Sequence, residues 1–146
     1  WFPNAMSGIL SGGILAFARG LGEFGATLYN KLEETLENLS KNYKLFIVSN
    51  CQDGYIESFF NSHKLDKYFT DYECPGRTGL AKAENIKLVV ERNNLKNPVY
   101  IGDTQGDANA AKAANVPFIY AEYGFGYVES FEEKIESFED LLNIIN

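Results

Sequence analysis

A short apolar run, Val99-Tyr100-Ile101, stops at Gly102 and is followed at once by Asp103 and, four residues later, by Asp107. β-Branched and aromatic residues in so short a run read as a buried strand. Gly102 is expected to end it and let the backbone turn tightly. Ala108, Ala110, Ala111, Ala113 and Ala114 then favour a helix. In open α/β sheets, ligands bind at the carboxyl ends of the strands. Two carboxylates at that edge make a hard oxygen site, of the kind that holds Mg²⁺ against a phosphate. The plainer reading is that Asp103 or Thr104 caps the helix; capping alone accounts less easily for the pair.

From Tyr29 onward the same alternation continues. Leu32, Leu36 and Leu39 share one face of a helix ending near Asn42. Leu45–Val48 is an apolar strand closed by Ser49-Asn50, and Gly54–Ser62 a helix with Ile56, Phe59 and Phe60 inward. Tyr68–Tyr72 reads as a third strand and Pro75–Gly79 as a loop. Lys82–Arg92 is a helix that buries Ile86, Val89 and Val90. Pro117–Ala121 is another strand, Tyr123–Gly126 a loop and Phe138–Ile145 a closing helix. Strands separated by helices imply a three-layer, Rossmann-like α/β fold: a parallel sheet with helices on both faces.

The chain has 146 residues, enough for one domain around one sheet. Its net charge of −7 argues against a nucleic-acid partner. It leaves room for a small anionic substrate, because a local lysine and metal override the global sign. Cys51 and Cys74 lack zinc-type spacing and read as free thiols of a reducing cytoplasm. His63 is the only histidine, which excludes a histidine-rich metal site; it reads as a surface residue at a helix end.

Residues 1–28 differ in kind. Ile9, Leu10, Ile14, Leu15, Phe17, Ala18 and Leu21 could form an apolar helical face, with glycines that weaken it. Arg19 and Glu23 lie at the centre of the apolar stretch, which makes a membrane span costly. The run from Gly13 to Leu28, with Ala18-Arg19-Gly20-Leu21-Gly22-Glu23-Phe24-Gly25-Ala26-Thr27 at its heart, resembles a segment of the permease subunit of molybdate-type ABC transporters. Residues 1–28 are therefore expected to be a foreign or atypical, helical segment joined to a domain at 29–146. A transporter-linked membrane role is the lesser alternative.

Within 29–146, Ser49 and Asn50 end one strand, Asp103 and Asp107 follow another, and Lys82 opens a helix between them in sequence. A hydroxyl and a backbone N–H can hold phosphoryl oxygens, a lysine supplies compact positive charge, and carboxylates hold Mg²⁺. Each has a bland alternative: Ser49 as a turn residue, Lys82 as a solvated charge. These residues, in this order, resemble the later motifs of the haloacid dehalogenase superfamily, especially its phosphoglycolate-phosphatase-like members. The resemblance implies that Ser49 binds the phosphoryl group, with Asn50 beside it, and that Lys82 steadies its negative charge. It further implies that Asp103 is a direct Mg²⁺ ligand and Asp107 a second, water-mediated one.

The family's first motif is an Asp-x-Asp at the end of the central strand, supplying a nucleophile and a general acid-base. This chain has no Asp before Asp53. The resemblance therefore implies a core lacking its first-motif strand and its cap, with a gap between the strands that carry Ser49 and Asp103, or one filled from residues 1–28. The function implied is a Mg²⁺-dependent phosphatase of small phosphorylated metabolites by ancestry, inactive as written. The alternative is a module that binds phosphate, Mg²⁺ or a protein partner without turnover. The acidic stretch Glu129–Glu139 reads as a solvated helix face.

Overall fold

Side chains along a strand point alternately to the two faces of its sheet, and here that alternation divides the core in two. The computed structural model describes residues 5–11, 33–50, 65–122, 126–131 and 133–144. Among these, six strands form one sheet: β1 Ser7–Leu10, β2 Lys44–Val48, β3 Asp71–Glu73, β4 Pro98–Gly102, β5 Phe118–Ala121 and β6 Glu133–Ile135. Their order is β3-β2-β1-β4-β5-β6, and every pairing is parallel. The helices are α1 over 33–40, the single turn α2 Pro75–Thr78, α3 Lys82–Arg92, α4 Gln105–Ala113 and α5 Leu141–Ile144.

One face of the sheet sends Leu10, Leu45, Ile47, Val99, Ile101 and Ile119 against Leu36 and Leu39 of α1 and against Phe138 and Leu141. The other sends Ile9, Phe46, Val48, Tyr100, Phe118 and Tyr120 against Ile86 and Val89 of α3 and Ala110 and Ala111 of α4. The alanines of α4 let it lie close to the strands. This is the three-layer parallel α/β architecture that the strand–helix alternation implied.

The largest departure from expectation lies at the centre. The middle position, expected to be a gap or to be filled from residues 1–28, is filled from them: Ser7–Leu10 runs between β2 and β4, with Gly8 opposite Leu45 on one side and Val99 on the other. Ile9 and Leu10, read as part of a helical face, are strand residues, fully buried on opposite sides of the sheet. Two open inner edges are the physical reason. A four-residue segment that satisfies both ladders gains backbone hydrogen bonds no isolated helix could match. The permease-like stretch from Gly13 to Leu28 lies outside the described residues, as do the helix expected at Gly54–Ser62, Cys51 and His63. Among the described residues, no helix is long and apolar enough to cross a membrane.

Smaller corrections follow the same logic. The third strand is shifted to Asp71–Glu73, because Phe46, Ile47 and Val48 set its register. Pro75–Thr78 is a helical turn closed by Gly79 in the left-handed region, φ 73°. The acidic stretch contains the edge strand Glu133–Ile135, whose Ile135 is buried.

Candidate active site

All six strands point the same way, so their carboxyl ends form one edge. Chain connections diverge around β1: β2 follows on one side of it and β4 lies on the other. The crevice at such a switch point is where α/β sheets take ligands. Ser11 leaves β1 there, Ser49 leaves β2 and Asp103 leaves β4.

Lys82 and Asp107 meet directly, the ammonium Nζ donating to Oδ1 of the carboxylate. Both are withdrawn from solvent, Lys82 to 12% side-chain exposure and Asp107 to 1%. Lys82 is the first residue of α3, where the helix dipole disfavours a cation, so its placement answers to the carboxylate rather than to its own helix. Asn85 secures the approach: its side-chain carbonyl accepts from the Thr78 hydroxyl at 2.7 Å, and its amide donates to the Leu80 carbonyl at 3.3 Å. Sequence reading missed Asn85, because a polar residue on a helix carries no signal of burial.

The other Asp107 oxygen, Oδ2, accepts from the N–H of Asp103 at 3.1 Å and of Thr104 at 3.3 Å. Thr104 returns the bond, its hydroxyl accepting from the Asp107 N–H at 3.0 Å. Thr104 is thus the N-cap of α4 and Asp107 its reciprocal partner. The capping reading holds for Thr104. It does not account for Asp103, which is 5% exposed at the mouth of β4.

Two glycines make room for the segment that carries these carboxylates. Gly102 is ordinary strand backbone, so the turn expected of it is not its role. A Cβ there would lie 2.5 Å from the Asp107 Cβ. Gly126 is pressed still closer: a Cβ would stand 2.2 Å from the Asp103 carbonyl oxygen. The Tyr120 phenol holds that loop by donating to the Gly126 carbonyl at 3.0 Å. Gly126 lay in a stretch read only as a loop.

Ser49 is partly exposed at the end of β2, its N–H donating to the Glu73 carbonyl at 3.2 Å, and Asn50 is exposed beside it. The structure thus brings Lys82, Asp103 and Asp107 into one cluster, with Ser49 and Asn50 on the same edge two strands away. Beneath them lies Tyr100, whose phenol donates to the Val48 carbonyl at 2.9 Å. Burial first, and the Asp107 charge second, push that phenol well above its ordinary pKa, so it stays a neutral donor.

As a metal site the donor set is small. Asp103 and Asp107 both carry hard carboxylate oxygens, and those of Asp107 also accept from Lys82 and two backbone N–H groups. Among the described residues no three His, Cys, Asp or Glu side chains converge. That chemistry suits a cation such as Mg²⁺, which keeps most of its waters and needs few protein ligands.

A parallel sheet with helices on both faces and a crevice at its switch point defines a class, the three-layer Rossmann-like α/β proteins. The comparisons place the chain within that class. The family of haloacid dehalogenase-like hydrolases matches residues 23–121, and the chain belongs to it. It is 28% identical over 130 residues to the phosphoglycolate phosphatase of Salmonella typhimurium, covering 82% of this chain and 52% of that one. The enzyme of the same description from Escherichia coli K12 is 27% identical over 115 residues, covering 75% of this chain and 46% of that one. The chain thus spans about half the length of the curated relatives it matches. In fold it resembles a haloacid dehalogenase-like hydrolase from Streptococcus pneumoniae, with a TM-score of 0.77 at 14% identity over 96% of this chain and 98% of that one.

Proposed function

We propose that this chain carries a phosphate- and Mg²⁺-binding site of phosphoglycolate-phosphatase type, directed at small phosphorylated metabolites, and that as written it binds without turning over. The observation behind this reading is the Lys82–Asp107 pair, buried beside Asp103 at the switch-point crevice. In this reading Asp103 and, less directly, Asp107 would hold Mg²⁺, because the Asp107 oxygens also serve Lys82 and two backbone N–H groups. Lys82 lends positive charge to a bound phosphoryl group, and Ser49 with the Asn50 backbone takes its oxygens. Mg²⁺, when bound, neutralises charge on a phosphoryl oxygen.

Absence of turnover rests on position 11. The residue leaving the central strand is Ser11, and the chain has no Asp before Asp53. A carboxylate attacks phosphorus as an anion, whereas a serine hydroxyl must first lose a proton to a base. The carboxylate closest to that task, Asp107, is neutralised by Lys82.

The test is calorimetric titration with inorganic phosphate and Mg²⁺, run beside hydrolysis of p-nitrophenyl phosphate on protein of verified mass. Phosphate uptake without hydrolysis is expected, with Mg²⁺-dependent hydrolysis appearing in Ser11→Asp. Wild-type turnover that vanishes in Asp103→Asn would overturn the non-catalytic reading. Failure to take up phosphate would overturn the site itself.

A further inference from the structure

Tyr100 is a costly residue for its position. Its ring is fully buried among Ile9, Phe46, Ile86 and Phe118, where a phenylalanine would fill nearly the same space without a polar atom. The ring lies 6.5 Å from that of Phe118. Its hydroxyl leaves this apolar layer at the edge where ligands are expected to bind, and three groups meet it there. The Val48 carbonyl accepts its proton at 2.9 Å, and the Ser11 side chain and the Asp107 carboxylate lie close enough to act on its charge.

The topology gives this arrangement its meaning. Tyr100 stands on β4 and Val48 on β2, and β1 runs between them. The phenol therefore spans the central strand and ties two strands that are not neighbours. Val48 is the residue before Ser49, and Ser11 is the residue after β1. A single side chain thus stands beside both hydroxyl-bearing strand ends.

We propose that Tyr100 is a positioning residue: its phenol cross-braces the ends of β1, β2 and β4 and so fixes Ser11 and Ser49 at the spacing an anionic, phosphate-type ligand requires. This rests on the phosphate reading of the site given above. Binding geometry held by a rigid second layer is tighter than geometry left to loops. The Ser11 N–H is itself anchored to the Ile101 carbonyl at 2.8 Å, so the phenol and the ladder grip Ser11 from two sides.

Tyr100→Phe keeps the ring and removes only the brace. Inorganic phosphate in the presence of Mg²⁺ is expected to bind about tenfold more weakly, the equivalent of one well-placed hydrogen bond, while Mg²⁺ alone binds as before. Ser11→Ala added to Tyr100→Phe is expected to weaken binding by less than about twofold further, because the two act as one unit. A buried phenol that merely packs predicts unchanged phosphate affinity or full additivity, and either result overturns the proposal. A second readout does not depend on phosphate at all. The amides of Ser11 and Ser49, bonded to the Ile101 and Glu73 carbonyls, are expected to exchange hydrogen at least about tenfold faster in Tyr100→Phe, with Ile9 and Phe46 unaffected. If wild type takes up no phosphate, the phosphate reading falls and the exchange rates alone decide on Tyr100. Unchanged rates at Ser11 and Ser49 overturn the brace.

Discussion

Two clusters of opposite charge lie on this sheet, and they are built differently. At the outer edge, Arg92 bonds the Asp71 carboxylate at 2.8 Å and that of Glu73 at 3.0 Å, while Arg77 pairs with Glu73 at 3.4 Å and its guanidinium lies over the Tyr72 ring. Two arginines meet two carboxylates, and their forked donors saturate both. At the crevice, one lysine meets one carboxylate, Asp107, whose other oxygen accepts from the Asp103 and Thr104 N–H groups. The arginine cluster clamps α3 to the edge strand. The lysine pair instead ties the start of α3 to the start of α4 at the ligand-facing edge. Arginine's planar fork suits the first task and lysine's compact ammonium the second. Burial alone does not separate the two, since Glu73 is 3% exposed and Asp107 1%.

The strongest way to break this contrast is Lys82→Met. It leaves Asp107 charged and buried, and should cost about 3 kcal/mol in urea unfolding and lower phosphate affinity at least about tenfold. Gly102→Ala comes next. Its methyl would overlap Asp107, so a loss of about 2 kcal/mol is expected in thermal unfolding, together with weaker phosphate binding. At the other cluster, Arg92→Met should cost about 1 kcal/mol, since Arg77 still serves Glu73, and should move phosphate affinity less than about twofold. Equal losses of phosphate affinity in Arg92→Met and Lys82→Met would erase the distinction.

The smallest effect is a pH dependence. Burial pushes the Asp71 carboxyl up, but hydrogen bonds from Asn93, the Tyr72 N–H and Arg92 outweigh it and hold the group below its ordinary 3.8. A carboxyl lowered in the folded state stabilises the fold above its unfolded value and loses that contribution as the pH falls through its folded one. Melting temperatures recorded from about pH 5 to about pH 3 should therefore fall less steeply in Asp71→Asn. An identical slope would remove Asp71 from the clamp.

Much of the scaffold was legible because its elements announce themselves locally. Lys82–Arg92 repeats Ile86 and Val89 at helical spacing, and Val99–Ile101 is a β-branched and aromatic run with Gly102 at its end. The lysine and the two aspartates stood out by residue type and position, and the structure pairs Lys82 with Asp107. Ser7–Leu10 was not. It is short, includes a serine and a glycine, and is followed by apolar residues at helical spacing. Its identity as a strand comes from β2 and β4 on either side, information that no local window holds. Glu133–Ile135 was hidden likewise, an edge strand whose only inward residue is Ile135. Asn85, Gly126 and Tyr100 escaped notice as parts of the site because what matters in each is a distant neighbour.

The same central strand has a consequence in time. Gly8 finds one partner at Leu45 and its other at Val99. As the chain leaves the ribosome, β1 can pair with β2 early, but its second flank stays bare until β4 has been synthesised. The middle of the sheet thus closes only after β3 has been made, and β5 and β6 follow. Pairings so remote in sequence are slow to form, and an exposed parallel edge invites association with other nascent chains. Fragments ending before Pro98 should therefore be the aggregation-prone ones, and fragments that run past Gly102 the first to stay in solution.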